Sequence, residues 1–339
     1  MVRDQLHRPL GVLRLSLTAR CNLACPYCLP DGHEPSGLLS HEQRLMVIEA
    51  AVALGARRLR LTGGEPLLHG GVEALIAAAR PLGLHDIALT SNGALLSAER
   101  AVALRAAGLD RLTISLDGTT GAAVAAMAGL TGGATAGDVL LARVLAALDH
   151  AVAAGFDPAR GALKLNAVIQ RGRNDDQLLP LAALARDRGI ELRLIEFMDV
   201  GNRNGWRPEA VLTAAEMVAR IGACWPVEPE GRSPHGTASR WRYVDNGGQL
   251  AVIASVSEPF CGDCNRLRVT ADGIAYTCLF AAPGSGLDLR PWLTPTTPPA
   301  QLRTALVDLW QQRRDRWSEE RHAAAPGPRP HAEMAYLGG

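Results

Sequence analysis

LRLSLTARCNLACPYC, Leu13–Cys28, sets Cys21, Cys25 and Cys28 in a Cys-x3-Cys-x2-Cys array just past a short apolar run. A single loop thus gathers three thiols beyond the end of a predicted strand. Zinc in a structural site wants four protein ligands, whereas three thiolates on a four-iron cluster leave one iron open to bind something else. The array also reads as three thiols scattered in a core, or as half of a zinc knuckle that borrows a distant ligand.

Outward from this loop, from Leu13 to about Met198, short leucine-rich or β-branched runs alternate with alanine-rich amphipathic stretches, the pattern of repeated βα units in an α/β fold with a parallel sheet. Six strands are predicted: Leu13–Leu17, Arg58–Leu61, Asp86–Leu89, Leu112–Leu116, Leu163–Ile169 and Leu192–Phe197. Ser40-His-Glu-Gln43 reads as a capping box, and Gly55 and Gly83 stand where helices should stop. Polar residues collect at the strand ends, in Thr62-Gly-Gly-Glu-Pro66, Thr90-Ser-Asn-Gly93, Ser115-Leu-Asp-Gly118, Asn166 and Glu196-Phe-Met-Asp199. The carboxyl edge of a βα sheet is where ligands bind. An open sheet and a barrel both fit this pattern.

Residues 118–137, GTTGAAVAAMAGLTGGATAG, read as a mobile excursion inside one βα unit. After Met198 the pattern changes. Gly201–Gly205 is a predicted loop, Thr213-Ala-Ala-Glu216 opens a helix, and Trp241–Asp245 with Gln249–Ile253 flank a hairpin signal at Asn246-Gly-Gly248. Leu267–Thr270 and Ile274–Cys278 form a second predicted hairpin, which places the boundary to a smaller C-terminal region near residues 223–230. Gln301–Trp317 reads as a helix and Ala323–His331 as a flexible linker.

The 339 residues, 47% of them hydrophobic, can bury a large core, and a net charge of +1 excludes the global basic field of a nucleic-acid or anionic-membrane binder. An anion site must therefore be built locally. No apolar run reaches the length of a membrane span, and the first twenty residues contain no continuous apolar stretch of the signal-peptide kind, so the chain reads as cytoplasmic. Seven cysteines fall into two trios plus Cys224, an odd count that suits a reducing compartment. Cys224 reads as a small buried hydrophobe, and the histidines and tryptophans as packing or surface residues.

The second trio is Cys261-Gly-Asp-Cys264 and Cys278, on the two edges of the second hairpin. A zinc ribbon would need a fourth ligand, for which His235 is the nearest histidine, whereas a cluster would again have one free iron. Arg14, Arg60 and Lys164 are basic residues inside apolar strand runs, where a charge belongs only if it faces a cavity, and Arg193 in ELRLIEFM is a further candidate. Several cations converging from different segments are what a polyphosphate needs.

CNLACPYC resembles the cluster loop of the radical S-adenosylmethionine enzymes. PFCGDCNRLRVTADGIAYTCLF and the terminal Gly338-Gly339 resemble the C-terminal signature of their GTP-cyclising family, which opens molybdenum cofactor synthesis; the similarity runs over essentially the full chain. The resemblance implies a six-stranded partial (β/α) barrel, open on one side, over residues 1–225. A C-terminal cluster and substrate region would follow over 226–322, with a tail over 323–339. It implies two [4Fe-4S] clusters, on Cys21, Cys25 and Cys28 and on Cys261, Cys264 and Cys278. S-adenosylmethionine would sit on the first open iron with Tyr27, Gly64, Ser115 and Met198 around it, and the guanine of GTP on the second.

By motif (LRLS, RLTGGEP, LKLNAV, CNRLR), Arg14, Arg60, Thr90, Lys164, Arg266, Leu267 and Arg268 correspond to GTP-contacting positions, and Gly338 and Gly339 to a tail that reaches into the active site. The implied reaction takes a hydrogen from C3' of GTP with a 5'-deoxyadenosyl radical and closes 3',8-cyclo-7,8-dihydro-GTP. Implied partners are an electron donor of flavodoxin or ferredoxin type and, by metabolic linkage, the cyclic pyranopterin monophosphate synthase that consumes the product. The chain would be a monomer or homodimer. Residues 118–137, and Ala19 where an acidic residue is common, depart from the family pattern. Two rivals remain at this point: another radical enzyme with an auxiliary cluster acting on a peptide or tetrapyrrole, and a zinc-stabilised binding module without catalysis.

Overall fold

The computed structural model describes residues 2–30, 32–321 and 330–338. Strands β1–β6 run Val12–Ser16, Arg58–Thr62, Asp86–Ser91, Arg111–Ser115, Leu163–Ile169 and Glu191–Glu196. They lie side by side in chain order and pair in parallel, each joined to the next over a helical crossover. The helices of this part are α1 His41–Leu54, α2 Val72–Ala79, α3 Ala98–Ala106, α4 Gly121–Ala128, α5 Gly133–Ala153 and α6 Leu178–Asp187, after which comes α7 Ala214–Cys224. Leu13, Leu15, Leu59, Leu61, Leu112, Ile114, Leu163 and Leu165 are fully or almost fully buried among the helices. The residues between them face the other way, because successive side chains on a strand alternate.

The later strands, β7 Val227–Arg232, β8 Ser239–Tyr243, β9 Gln249–Ile253, β10 Arg266–Val269, β11 Ile274–Tyr276 and β12 Leu287–Asp288, do not form a separate sheet. β9 pairs in parallel with β6, and β10 in parallel with β1, so the C-terminal part extends the same sheet from both edges in the order β12-β11-β10-β1-β2-β3-β4-β5-β6-β9-β8-β7. The barrel is partial rather than closed. Both predicted hairpins are present, β8–β9 and β10–β11. Helices α8 Pro299–Gln311, α9 Trp317–Glu320 and α10 Met334–Leu337 complete the described chain.

Local signals explain the helix starts. Ser40 and Thr213 each accept from the backbone N–H three residues on, while Gln43 and Glu216 return the bond to the cap. The glycine-rich stretch 118–137 is a different matter: it folds into α4 and the start of α5, bent 93° apart, rather than a loose excursion. The glycines serve contact between helices. A Cβ on Gly137 would sit 1.8 Å from the Gly121 carbonyl, and one on Gly121 would sit 2.4 Å from the Ala134 carbonyl. Only backbone without side chains allows the two helices to meet so closely. No single described helix is long and apolar enough to cross a membrane.

Three further expectations are corrected. The helix foreseen over 301–317 stops at Gln311 and resumes at Trp317, because Arg313 in the gap turns inward to bond the Cys264 backbone. Cys224 is exposed, being the last residue of α7 where the chain turns out into the edge strand β7. The tail is docked over 330–338: Ala332 N–H donates to Ala281 O at 2.9 Å, and the Tyr336 hydroxyl donates to Asp272 at 3.0 Å. Most of the expected linker 323–331 lies outside the described residues.

Gly137→Ala should lower the unfolding free energy by about 1–3 kcal/mol, even though alanine is the better helix former. Denaturant melts of the two proteins under anaerobic conditions measure this.

Candidate active site

The inner face of the sheet encloses a chamber of about 810 Å³, lined by both cysteine trios and by Arg14, Arg60, Lys164, Arg193, Arg266 and Arg268. Tyr27, Gly64, Thr90, Ser115 and Met198 also line it, so residues spread over more than 250 positions of sequence converge on one space. Leu267 does not join them. It is 1% exposed and packs into the core with Leu13, since alternation along β10 turns Arg266 and Arg268 inward and Leu267 outward.

Strand register assembles the cations. Arg268, Arg14 and Arg60 are direct neighbours on three adjacent parallel strands. A second row runs Thr90, Thr113, Lys164, Glu191, and a third Ser115, Asn166, Arg193. Like charges opposite one another on a sheet repel. Burial, then Arg268, Arg60, Arg266 and Arg193, press the Arg14 guanidinium well below its ordinary proton affinity, and burial and Arg111 do the same at Arg60. Arg60 and Arg266 have no ion-pair partner among the described residues. Lys164 differs: its Nζ is 2.6 Å from Glu191 Oε2, and burial brings its pKa down to about 8. Glu191 also draws Arg193 and Arg240, at 3.5 and 3.6 Å, so one carboxylate serves three cations and leaves the chamber positive.

The C-terminal end of the described chain answers part of this charge. Gly338 O accepts from Arg14 Nη2 at 2.8 Å and Nε at 3.1 Å, and from Arg268 Nη1 at 3.4 Å. Gly338 has φ +65°, and a Cβ there would meet Thr62 Oγ1 at 2.2 Å, so only glycine can bring its carbonyl to these arginines. Gly339 lies outside the described residues.

At the first trio, the loop rests on the Gly63-Gly64-Glu65 strip. Gly64 N–H donates to Thr18 O and Glu65 N–H to Arg20 O, both at 2.8 Å, and a Cβ on Gly64 would land 2.2 Å from Arg20 O. The glycine pair is thus required by the approach of the cysteine loop itself. Buried Glu65 accepts from Leu67 N–H, Asn92 N–H and Ser91 Oγ and ties the strip to β3. The N–H of Ala19 donates to Glu34. The Tyr27 hydroxyl donates to Asp117 Oδ2 at 2.7 Å while Asp117 Oδ1 accepts Val168 N–H; burial raises this carboxyl to about 6.

The sulfurs suit an iron–sulfur centre. Each trio is three thiols without a fourth, with Leu23 N–H directed at Cys21 Sγ and Phe280 N–H at Cys278 Sγ, both at 3.4 Å. Among the described residues no His, Cys, Asp or Glu cluster has the spacing of a single metal ion. His235 cannot complete a zinc site through Nδ1, which faces Asp263 Oδ1 at 2.7 Å. Burial raises Cys28 and Cys278 to about 12. Burial also pushes Cys264 up, but Arg266 and Arg313 overcome it and bring that thiol to about 6. Buried polar atoms without a hydrogen-bond partner, Thr62 Oγ1 and Asn166 Oδ1, belong to residues that line the chamber, as befits a space built around polar ligands.

Residues not foreseen from the sequence are Asp117, Glu191 and the group Asp4, Arg8 and Arg313 behind the second trio. Asp117 follows a strand in Ser115-Leu-Asp-Gly118, a signal that was legible; the last group bonds across some 300 positions and leaves no local pattern.

Comparison with known proteins finds matches over almost the whole chain. The radical SAM superfamily matches residues 15–185 and the molybdenum cofactor synthesis C-terminal family matches 190–319. A GTP 3',8-cyclase of Synechococcus sp. (strain CC9902) is 60% identical over 99% of this chain and 98% of its own, and one of Synechococcus sp. (strain CC9605) is 63% identical with the same coverage. A GTP 3',8-cyclase of Xanthomonas campestris pv. campestris (strain B100) is 45% identical over 100% of this chain and 97% of its own. Among solved structures, Streptococcus suis SuiB bound to S-adenosylmethionine superposes with TM-score 0.65 at 12% identity, covering 90% of this chain and 66% of that one, a likeness of fold.

Inorganic triphosphate should bind less tightly as pH rises through about 8, where Lys164 loses its proton, by up to about tenfold per unit. Calorimetric titration should show that step in the native protein and none in Lys164→Met.

Proposed function

Because this chain belongs to the GTP 3',8-cyclase family of radical S-adenosylmethionine enzymes, we propose that its chamber holds GTP by both ends between two iron–sulfur centres. The enzyme converts GTP to (8S)-3',8-cyclo-7,8-dihydroguanosine 5'-triphosphate, the first step of molybdenum cofactor biosynthesis. The observation that carries the reading is the lining of a single chamber by two cysteine trios together with an in-register row of arginines.

Cys21, Cys25 and Cys28 would hold the first iron–sulfur centre, which with S-adenosylmethionine would supply the radical chemistry that begins at C3' of GTP. Tyr27, Gly64, Ser115 and Met198, which line the same chamber, would hold the cofactor. Arg14, Arg60, Lys164 and Arg193 face the triphosphate, whose charge relieves the repulsion among them; a forked guanidinium suits phosphate oxygens. Thr90 adds a hydroxyl to the same wall. Arg266, stacked over Phe260 at 5.2 Å, stands at the guanine end beside the centre on Cys261, Cys264 and Cys278. Holding the nucleotide at two ends fixes C3' against the radical carbon, and orientation of this kind supplies much of the rate in reactions between bound partners.

The bonds from Arg14 and Arg268 to the Gly338 carbonyl support reading the tail as part of the active site, the role that the family signature implies for Gly338 and Gly339. Residues 1–225 carry the radical-generating part, 226–322 the second centre and the guanine, and 323–339 the tail. The free thiols fit a cytoplasmic setting, with a small low-potential flavodoxin- or ferredoxin-type donor.

The decisive experiment is anaerobic incubation with GTP, S-adenosylmethionine and dithionite, followed by mass analysis of the nucleotide. Recovery of unchanged GTP despite intact centres and cleaved S-adenosylmethionine would overturn the reading. Replacing Cys261, Cys264 and Cys278 together by alanine should leave cleavage of S-adenosylmethionine measurable and lower cyclised product by at least ~100-fold through lost positioning. Appending a bulky residue after Gly339 should lower cyclisation while iron content stays unchanged.

A further inference from the structure

Behind the second trio lies a buried ionic group that the reaction as described does not use. Arg313, in the gap between α8 and α9, donates from Nη2 to Cys264 Sγ at 3.1 Å and from Nη1 to Cys264 O at 2.7 Å. Its position is set from three sides. Asp315 Oδ2 stands 3.2 Å from Nε, Asp4 Oδ2 stands 3.4 Å from Nη1, and the Trp310 ring lies under the guanidinium at 4.7 Å. Asp4 is itself held by Arg8 at 2.6 Å, and Arg8 Nη1 donates onward to Cys261 O at 2.7 Å and Asp315 O at 2.8 Å. The Asp4, Arg8 and Arg313 side chains are 0%, 2% and 2% exposed. The N-terminal strap and the break after α8 thus meet at the Cys261–Cys264 loop and present one cation to one sulfur.

The hydrogen bonds at the other sulfurs are of a different kind. At Cys21 the donors are the neutral N–H of Leu23 at 3.4 Å and the Asn92 amide at 3.8 Å, and at Cys278 the neutral N–H of Phe280. A hydrogen bond from an ionised donor is shorter and about twice as strong as a neutral one. In a dry site, bonds to ligand sulfur stabilise the state that carries more negative charge, and this is one of the levers by which a protein sets the potential of an iron–sulfur centre.

We propose that Arg313 is a positioning residue that raises the reduction potential of the C-terminal centre through Cys264, so that this centre accepts an electron more readily than it would on three cysteines with neutral donors. The inference rests on the reading of the second trio as a cluster site. The couple concerned is one electron: oxidised centre plus one electron from a low-potential reductant gives the reduced centre, and the guanidinium keeps its proton throughout. A fold brace alone would equally explain a buried arginine, so the test must read the couple rather than turnover.

The experiment is an anaerobic dithionite titration followed by electron paramagnetic resonance on reconstituted native protein, Arg313→Met and Arg313→Lys, with iron and sulfide counted on each. In Arg313→Met the C-terminal centre should become harder to reduce by about tenfold in its one-electron equilibrium, a shift of about 59 mV, while the N-terminal centre stays where it was. Arg313→Lys, which keeps the charge but not the fork, should fall between native and Met. Variants with both centres loaded and native potentials would overturn the proposal, and so would loss of the C-terminal centre from both variants, which would make Arg313 a brace. A native protein that binds a single centre would instead overturn the reading of the second trio.

Discussion

The architecture turns on the cost of placing Arg268, Arg14 and Arg60 shoulder to shoulder on neighbouring strands inside a chamber. No arrangement of a soluble α/β protein needs this, and Arg14 in the middle of the row, buried and flanked by Arg268 and Arg60, holds its proton well below the ordinary affinity of a guanidinium. Such a row persists only when the surrounding fold over-determines it and a compensating anion arrives in use. The strands are fixed by leucines packed under the helices on the outer face, so the inner face has no freedom to splay. The Gly338 carbonyl supplies a partial, uncharged counterweight that leaves the positive potential in place for a substrate.

Much of this was legible in the chain. Six strands follow from leucine runs because their outer faces are continuous apolar surface, and both cysteine trios announce themselves by spacing. The arginines of β1 and β2 stood out as charges among leucines. Lys164 did as well, but the sequence could not show that Glu191, on the next strand, claims it. Leu267 sits in the CNRLR motif between two arginines, but strand alternation turns it out of the chamber.

What was illegible shares one cause: close approach between segments far apart in sequence. Glycines in 118–137 look like slack until Gly137 is seen against the Gly121 carbonyl, where absence of a side chain is the packing interaction. Gly64 reads as a ligand-binding turn, yet the Arg20 carbonyl is what excludes a Cβ there. Arg313 looks like one more charge on a helix, but the helix ends so that it can reach a sulfur. In each case the local pattern gave the residue and the tertiary contact gave its purpose.

The joining of β10 to β1 and of β9 to β6 has a consequence for how the polypeptide is made. Strand β1 lacks one of its hydrogen-bonding neighbours until some 250 further residues have been translated, and β6 lacks its outer neighbour until the chain reaches Gln249. A nascent barrel half therefore carries two open borders in a crowded cell, a state prone to wrong pairing with other chains. Assembly of the cysteine loops is coupled to the same late event, since the second trio is seated by the strand that seals the first border.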